Sequence, residues 1–169
     1  MLNSEYTVID NTLSFSERII LNDSFFKDRG NIDPYWLKKE ELINVSPIHT
    51  LVNISLTKFN FNTYSGVEIW THNFTSPGWH TDKNEWLFIN QCITSYPLCT
   101  IIYYHTANLK DVGVHNFFDA FQTQDVMILP KENRTIILAP GLLHTGGGRK
   151  NIRQLVSITP WEKKPNGLS

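Results

Sequence analysis

Leu98-Cys99-Thr100-Ile101-Ile102-Tyr103-Tyr104 is a continuous run of β-branched, aromatic and small apolar residues. A run of this length and composition reads as a buried strand. Outward from it, Gly66 to Thr71 upstream and Val114 to Phe118, Val126 to Leu129, Thr135 to Leu138, Leu142 to Thr145 and Ile152 to Ile158 downstream repeat the character. Gly, Pro and Asn separate them at a spacing of roughly 8–12 residues, the signature of a sandwich or barrel rather than of βαβ units. Towards the N-terminus the pattern changes. Tyr6 to Ile9 alternates like an edge strand, and Ser14-Phe15-Ser16-Glu17 is a capping-box sequence that starts a helix. Asp33-Pro34, leading into Tyr35 to Leu42, and Ser46-Pro47, followed by apolar Ile48, Leu51, Val52, Leu56 and Phe59, are further helix starts. We expect a mainly β protein with N-terminal helices: residues 1–63 as helical support, 64–161 as the β core, and 162–169 as a tail.

Length and charge narrow the function. A chain of 169 residues is most simply one domain, burying about two thirds of its unfolded surface. Its net charge of -1 and lack of a basic stripe argue against a nucleic-acid partner. Cys92 and Cys99 are too few for a disulfide framework and read as small buried residues. No leader pattern and no membrane-length apolar run are present, so a soluble, cytoplasmic protein without a membrane partner is expected.

Chemistry enters with Trp79-His80-Thr81-Asp82. In an extended segment His80 and Asp82 point the same way, placing an imidazole and a carboxylate on one face. A second histidine would complete a 2-His-1-carboxylate set, which suits non-haem iron with open coordination positions. His105, His115 and His144 are the candidates. His144 stands before Gly146-Gly147-Gly148, where backbone can approach a bound group closely, and Arg153 follows nine residues later. An inward Arg on a buried strand needs an anion, and its fork suits a carboxylate.

The ordered set His80-x-Asp82, Tyr103, His144 and Arg153 resembles the Fe(II)/2-oxoglutarate-dependent oxygenases, in particular their prolyl-hydroxylase-like branch, over about residues 64–161. The resemblance implies a double-stranded β-helix (jelly-roll, cupin-like) core. It implies that His80, Asp82 and His144 hold Fe(II), and that Arg153 and Tyr103 bind the distal carboxylate of 2-oxoglutarate. Ser157, on the face of Arg153, would line the same pocket, and Trp70, ten residues before His80, would pack near the cosubstrate. The double glycine common in the branch is here Val112-Gly113.

The implied reaction is oxidative decarboxylation of 2-oxoglutarate with O2, giving succinate and CO2 and hydroxylating a C–H bond, with ascorbate a candidate reductant. Related halogenases lack the carboxylate, so Asp82 favours hydroxylation. The expected substrate is an amino-acid or peptidyl side chain, prolyl among them, supplied as a small molecule or peptide. Asn73, Trp79, Lys83, Asn84 and Arg149 are candidate substrate contacts at the mouth. Glu85 is read as structural, and His105 as a residue sharing the strand parity of Tyr103. The competing reading is a non-catalytic cupin-like module that binds a metal or small molecule.

Overall fold

The computed structural model describes residues 5–27, 34–61, 63–72, 78–107, 121–124, 126–146 and 153–168. Their strands are β1 (Tyr6–Asp10), β2 (Tyr35–Lys38), β3 (Gly66–His72), β4 (Thr100–Ala107), β5 (Phe121–Thr123), β6 (Met127–Ile128), β7 (Arg134–Leu138), β8 (His144–Gly146) and β9 (Arg153–Trp161). The helices are α1 (Phe15–Leu21), continued by a π-turn over Asn22–Phe26, then α2 (Lys39–Leu42), α3 (Ser46–Phe59) and α4 (Glu85–Gln91). Six strands form an antiparallel sheet in the order β1-β7-β4-β9-β3-β2, and three form a second in the order β6-β5-β8. The run at Val114 to Phe118 lies outside the described residues.

Strand alternation divides the large sheet into two apolar faces. Ile101, Tyr103, Ile137, Val156, Ile158, Val67 and Ile69 pack with Leu21, Leu42, Ile48, Leu51 and Val52 of the helices. Ile102, Tyr104, Ile136, Leu138 and Leu155 point the other way and pack with Ile128 of the small sheet. We call these the helix face and the site face. Both sides of β4 are buried, so its sequence is a near-continuous apolar run. Each fully buried Leu or Ile contributes about 1.5–3 kcal/mol of transfer free energy.

The helices follow their start signals. Ser14 and Glu17 form the capping box of α1. Pro47 sits in the first turn of α3, whose buried stripe is Ile48, Leu51, Val52, Ser55 and Leu56, and Asn60 ends it in the left-handed conformation. The Asp33-Pro34 signal does not do what it suggests. Tyr35–Lys38 is strand β2, paired with β3 from Tyr35↔Ile69 to Lys38↔Gly66, and the helix is only the short α2. The pairing lays the Trp36 indole over Gly66, where any Cβ would collide with it. Tertiary packing on a bare glycine outweighs a capping preference here. The first third thus supplies both edge strands, β1 and β2, as well as helices. The tail is packed: Pro165 is buried and Gly167 lies against Trp86 of α4. Cys99 is buried as expected, whereas Cys92 is exposed at the left-handed cap of α4.

The helix face holds a buried polar group beneath β4. Asn133, itself left-handed at φ 56°, accepts from the Leu13 amide at 3.0 Å and from the Tyr103 hydroxyl at 3.1 Å. It also donates to the Leu13 carbonyl at 2.9 Å. His105 stacks on Phe26 with ring centroids 5.0 Å apart, and its Nδ1 is buried without a partner among the described residues. Burial holds this imidazole below its ordinary value of 6.5, Arg18 adds to the effect, and Glu132 opposes it. As pH falls, the unfolded chain therefore takes up this proton before the folded one. The contribution to stability is complete above 6.5 and is lost as pH drops below it. Thermal unfolding from about pH 8 to about pH 5 checks this. His105→Phe, which keeps a ring on Phe26, should lose less stability on the acid side than the parent; equal losses would assign the effect to other groups.

Candidate metal centre and its pocket

His80 and His144 are brought together by backbone. Their amides and carbonyls exchange two hydrogen bonds of 2.9 Å each in an isolated antiparallel bridge. Directly paired residues project to the same side, and the two rings lie with centroids 4.4 Å apart, tilted by 53°. His80 Nδ1 is 2.9 Å from the Gly78 carbonyl and His144 Nδ1 is 2.9 Å from the Leu142 carbonyl. A carbonyl only accepts, so each Nδ1 carries its proton and each Nε2 presents a lone pair.

Asp82 completes the group. Its Oδ1 lies 3.7 Å from His80 Nε2 and its Oδ2 3.8 Å from His144 Nε2. Those separations are too long for hydrogen bonds. They fall within the ~4.2 Å that one ion spans with two bonds of about 2.1 Å. All three ligand atoms lie within 4.8 Å of one another. The Thr100 hydroxyl donates to Asp82 Oδ2 at 2.6 Å, holding the carboxylate in place. His144 is buried while His80 and Asp82 are half-buried, so the group is open on one side. Burial lowers the pKa of His144, with the charge of His80 acting in the same sense against Asp82 and the Leu142 hydrogen bond. The neutral, ligating form of the imidazole is thereby favoured. Two neutral imidazoles and one carboxylate are a donor set suited to Fe(II), and these residues fit such an ion.

Thr100 was not singled out in the sequence, yet it is the residue that ties the carboxylate to β4. Outer partners of metal-bound carboxylates are commonly worth 10–100-fold in metal affinity or activity. Thr100→Val should therefore weaken Fe(II) binding by about tenfold or more with little change in folding, measured by anaerobic metal titration and thermal unfolding. Unchanged affinity would reduce Thr100 to a packing residue.

The site face extends from this group. Thr100, Ile102 and Tyr104 share one side of β4, and register pairs Ile102 with Ser157 and Tyr104 with Leu155 on β9, then Ser157 with Trp70 on β3. Ser157 and Trp70 are thus brought together on the site face. Tyr103 is not. It stands on the helix face, with its hydroxyl donated to Asn133, and the tyrosine on the metal side is its neighbour Tyr104. Strand alternation makes the two roles exclusive. His105 follows Tyr103 onto the helix face, away from the metal group. Arg153 opens β9 opposite Ala107, and its side chain lies outside the described residues. So do Asn73, Val112-Gly113, His115 and Arg149.

At the rim, two of the candidates have structural work. Asn84 caps α4 by accepting from the Leu87 amide at 3.1 Å. Lys83 pairs with the exposed Glu85 at 3.2 Å and covers the Phe88 ring at 4.5 Å. Trp79 is half exposed. The helix α4 was not expected from the sequence, where its seven residues are too few to show a period.

No protein-family model and no curated protein matches the chain. Solved structures do. A viral collagen prolyl hydroxylase from Paramecium bursaria Chlorella virus-1 superimposes with a TM-score of 0.63 at 17% identity, covering 93% of this chain and 89% of the other. A Trichoplax adhaerens prolyl hydroxylase, in complex with a hypoxia inducible factor oxygen degradation domain peptide fragment, gives 0.59 at 14%, covering 99% and 89%. A 2OG-Fe(II) oxygenase family oxidoreductase from Burkholderia pseudomallei gives 0.59 at 11%, covering 95% and 86%. The chain has the fold of prolyl hydroxylases and 2OG-Fe(II) oxygenases, the branch its residues resemble.

Proposed function

We propose that the protein is an Fe(II)/2-oxoglutarate-dependent dioxygenase that hydroxylates a C–H bond of an amino-acid or peptidyl substrate. The observation that carries this reading is the His80–Asp82–His144 group, with both Nδ1 atoms committed to backbone carbonyls and both Nε2 atoms turned towards one carboxylate. The facing sheets are read as the double-stranded β-helix of that superfamily. Fe(II) held by these residues would supply the redox chemistry for oxidative decarboxylation of 2-oxoglutarate by O2, one oxygen atom passing to succinate as CO2 leaves and the other to the substrate C–H bond.

The chain's own residues supply binding and orientation. The two imidazoles and Asp82 hold the metal, and Thr100 orients Asp82. We assign the distal carboxylate of the keto acid to Arg153, which has the strand parity of Ser157, and to the hydroxyl of Tyr104 in place of Tyr103. Ser157 and Trp70 line the same face. Ile102, Leu155 and Ile136 exclude water beneath them. The peptide bound by the Trichoplax neighbour supports a peptide or small-molecule substrate here. No helix among the described residues is long and apolar enough to cross a membrane.

Oxygen uptake tests the reading. Protein supplied with Fe(II), ascorbate and 2-oxoglutarate should consume dioxygen even without a second substrate, slowly and only when the keto acid is present. Binding of Fe(II) and 2-oxoglutarate with no uptake under any candidate substrate would favour the non-catalytic cupin-like module instead.

A further inference from the structure

The site face carries a second carboxylate that the proposed reaction does not use. Glu68 lies on β3 two residues before Trp70 and opposite Thr159 of β9, whose hydroxyl donates to Glu68 Oε2 at 3.2 Å. Thr159 holds Glu68 and Thr100 holds Asp82, from the paired strands β9 and β4.

Its surroundings are indoles. Trp36 faces Glu68 across the β2–β3 pair, and its ring covers Gly66, on the same side of β3 as Glu68. Trp70 follows on that side, and Trp161 donates its Nε1–H to Thr159 at 3.1 Å. Among the described residues no Lys, Arg or His pairs with Glu68. Burial raises the pKa of Glu68; hydrogen bonds from Thr159 and Trp161 oppose this, and the charge of Asp82 reinforces it. A half-buried carboxylate with neutral partners alone is costly and is relieved by a cation. Indole faces attract cations too, most strongly where water is excluded.

We propose that Glu68, framed by Trp36, Trp70 and Trp161, is a substrate subsite for an organic cation, an alkylammonium or guanidinium group. The substrate class is then a basic amino acid or a peptide that presents one. The cation is held beside the metal, which sets the reacting C–H bond a few bonds away along the same side chain. The inference rests on the oxygenase reading for the fate of that side chain, but not for its binding.

Matched ligands separate the two. Lysine and arginine, free and as the central residue of a blocked tripeptide, are compared with their uncharged counterparts norleucine and citrulline by tryptophan fluorescence titration of the Fe(II)-loaded protein under nitrogen. Succinate release under air is measured in parallel. The cationic member of a pair should bind about tenfold or more tighter and should stimulate succinate release above the level without substrate. Glu68→Gln, which keeps an acceptor for Thr159, should bring each pair to equal affinity. Equal affinities in the unmodified protein overturn the subsite, whatever the variant does. Preferential binding without succinate under air leaves the subsite standing and removes the oxygenase reading. Succinate release with no preference for either cation removes the subsite alone.

Discussion

His144→Ala should abolish stoichiometric Fe(II) binding. The parent should bind about one ion per chain in anaerobic dialysis, and the variant should lose affinity by more than 100-fold, since outer-sphere changes alone cost 10–100-fold. The expectation follows from geometry. His144 is the buried member of the group, and its backbone hydrogen bonds with His80 hold the two rings together. Alanine preserves those backbone bonds, so the bridge and the fold should persist while one ligand is gone. Thermal unfolding without metal separates the possibilities: near-parental stability with lost iron supports a ligand, whereas lost stability makes His144 a core residue. Asp82→Ala should lose the metal as well, and it leaves the Thr100 hydroxyl without its acceptor. If both variants retained parental iron, the metal would lie elsewhere.

The second large effect separates adjacent tyrosines. Tyr104→Phe should raise the 2-oxoglutarate requirement by about tenfold or more, as expected when a hydrogen bond to a charged group worth roughly 1.5–3 kcal/mol is lost. Tyr103→Phe should leave that requirement alone and instead cost about 1 kcal/mol of stability through the lost bond to Asn133. Arg153→Ala should resemble Tyr104→Phe and exceed it, because the removed bond joins two charges. Initial rates against 2-oxoglutarate, with denaturant unfolding alongside, check all three. A Tyr103→Phe enzyme with the raised requirement would return the cosubstrate role to Tyr103 and contradict the assignment of faces.

The tyrosine pair shows where sequence reading stopped. In a strand with one wet face, polar alternation reveals the inward residues, but β4 is buried on both sides and Ile101 to Tyr104 offers no contrast. Thr100 breaks the tie, because its contact with Asp82 marks one parity as the metal side, and that contact joins residues 18 apart. The metal group was more legible. His80-x-Asp82 and a distant His before glycines form an ordered pattern that needs no knowledge of parity. The starts of α1 and α3 were legible for the same reason, since the capping box Ser14-x-x-Glu17 and the first-turn proline of Ser46-Pro47 are local signals, although Val45, without a side-chain cap, takes the N-cap position of α3. Asp33-Pro34 is local too, but the pairing of Tyr35 to Lys38 with β3 is not, and the indole of Trp36 over Gly66 could not be read from either segment alone. Glu68 went unnoticed for a related reason: a Glu on an alternating strand reads as solvated until its cross-strand neighbours are known to be Trp36 and Thr159.

The His80–Asp82–His144 group should bind iron and support turnover of 2-oxoglutarate. Succinate counted in paired vessels tests it most directly, one under air and one under nitrogen, each holding Fe(II), ascorbate, 2-oxoglutarate and either the parent or His144→Ala. Succinate is expected from the parent under air and none above background from the other three. Absence of succinate from iron-loaded parent under air, or equal succinate from the variant, would contradict it.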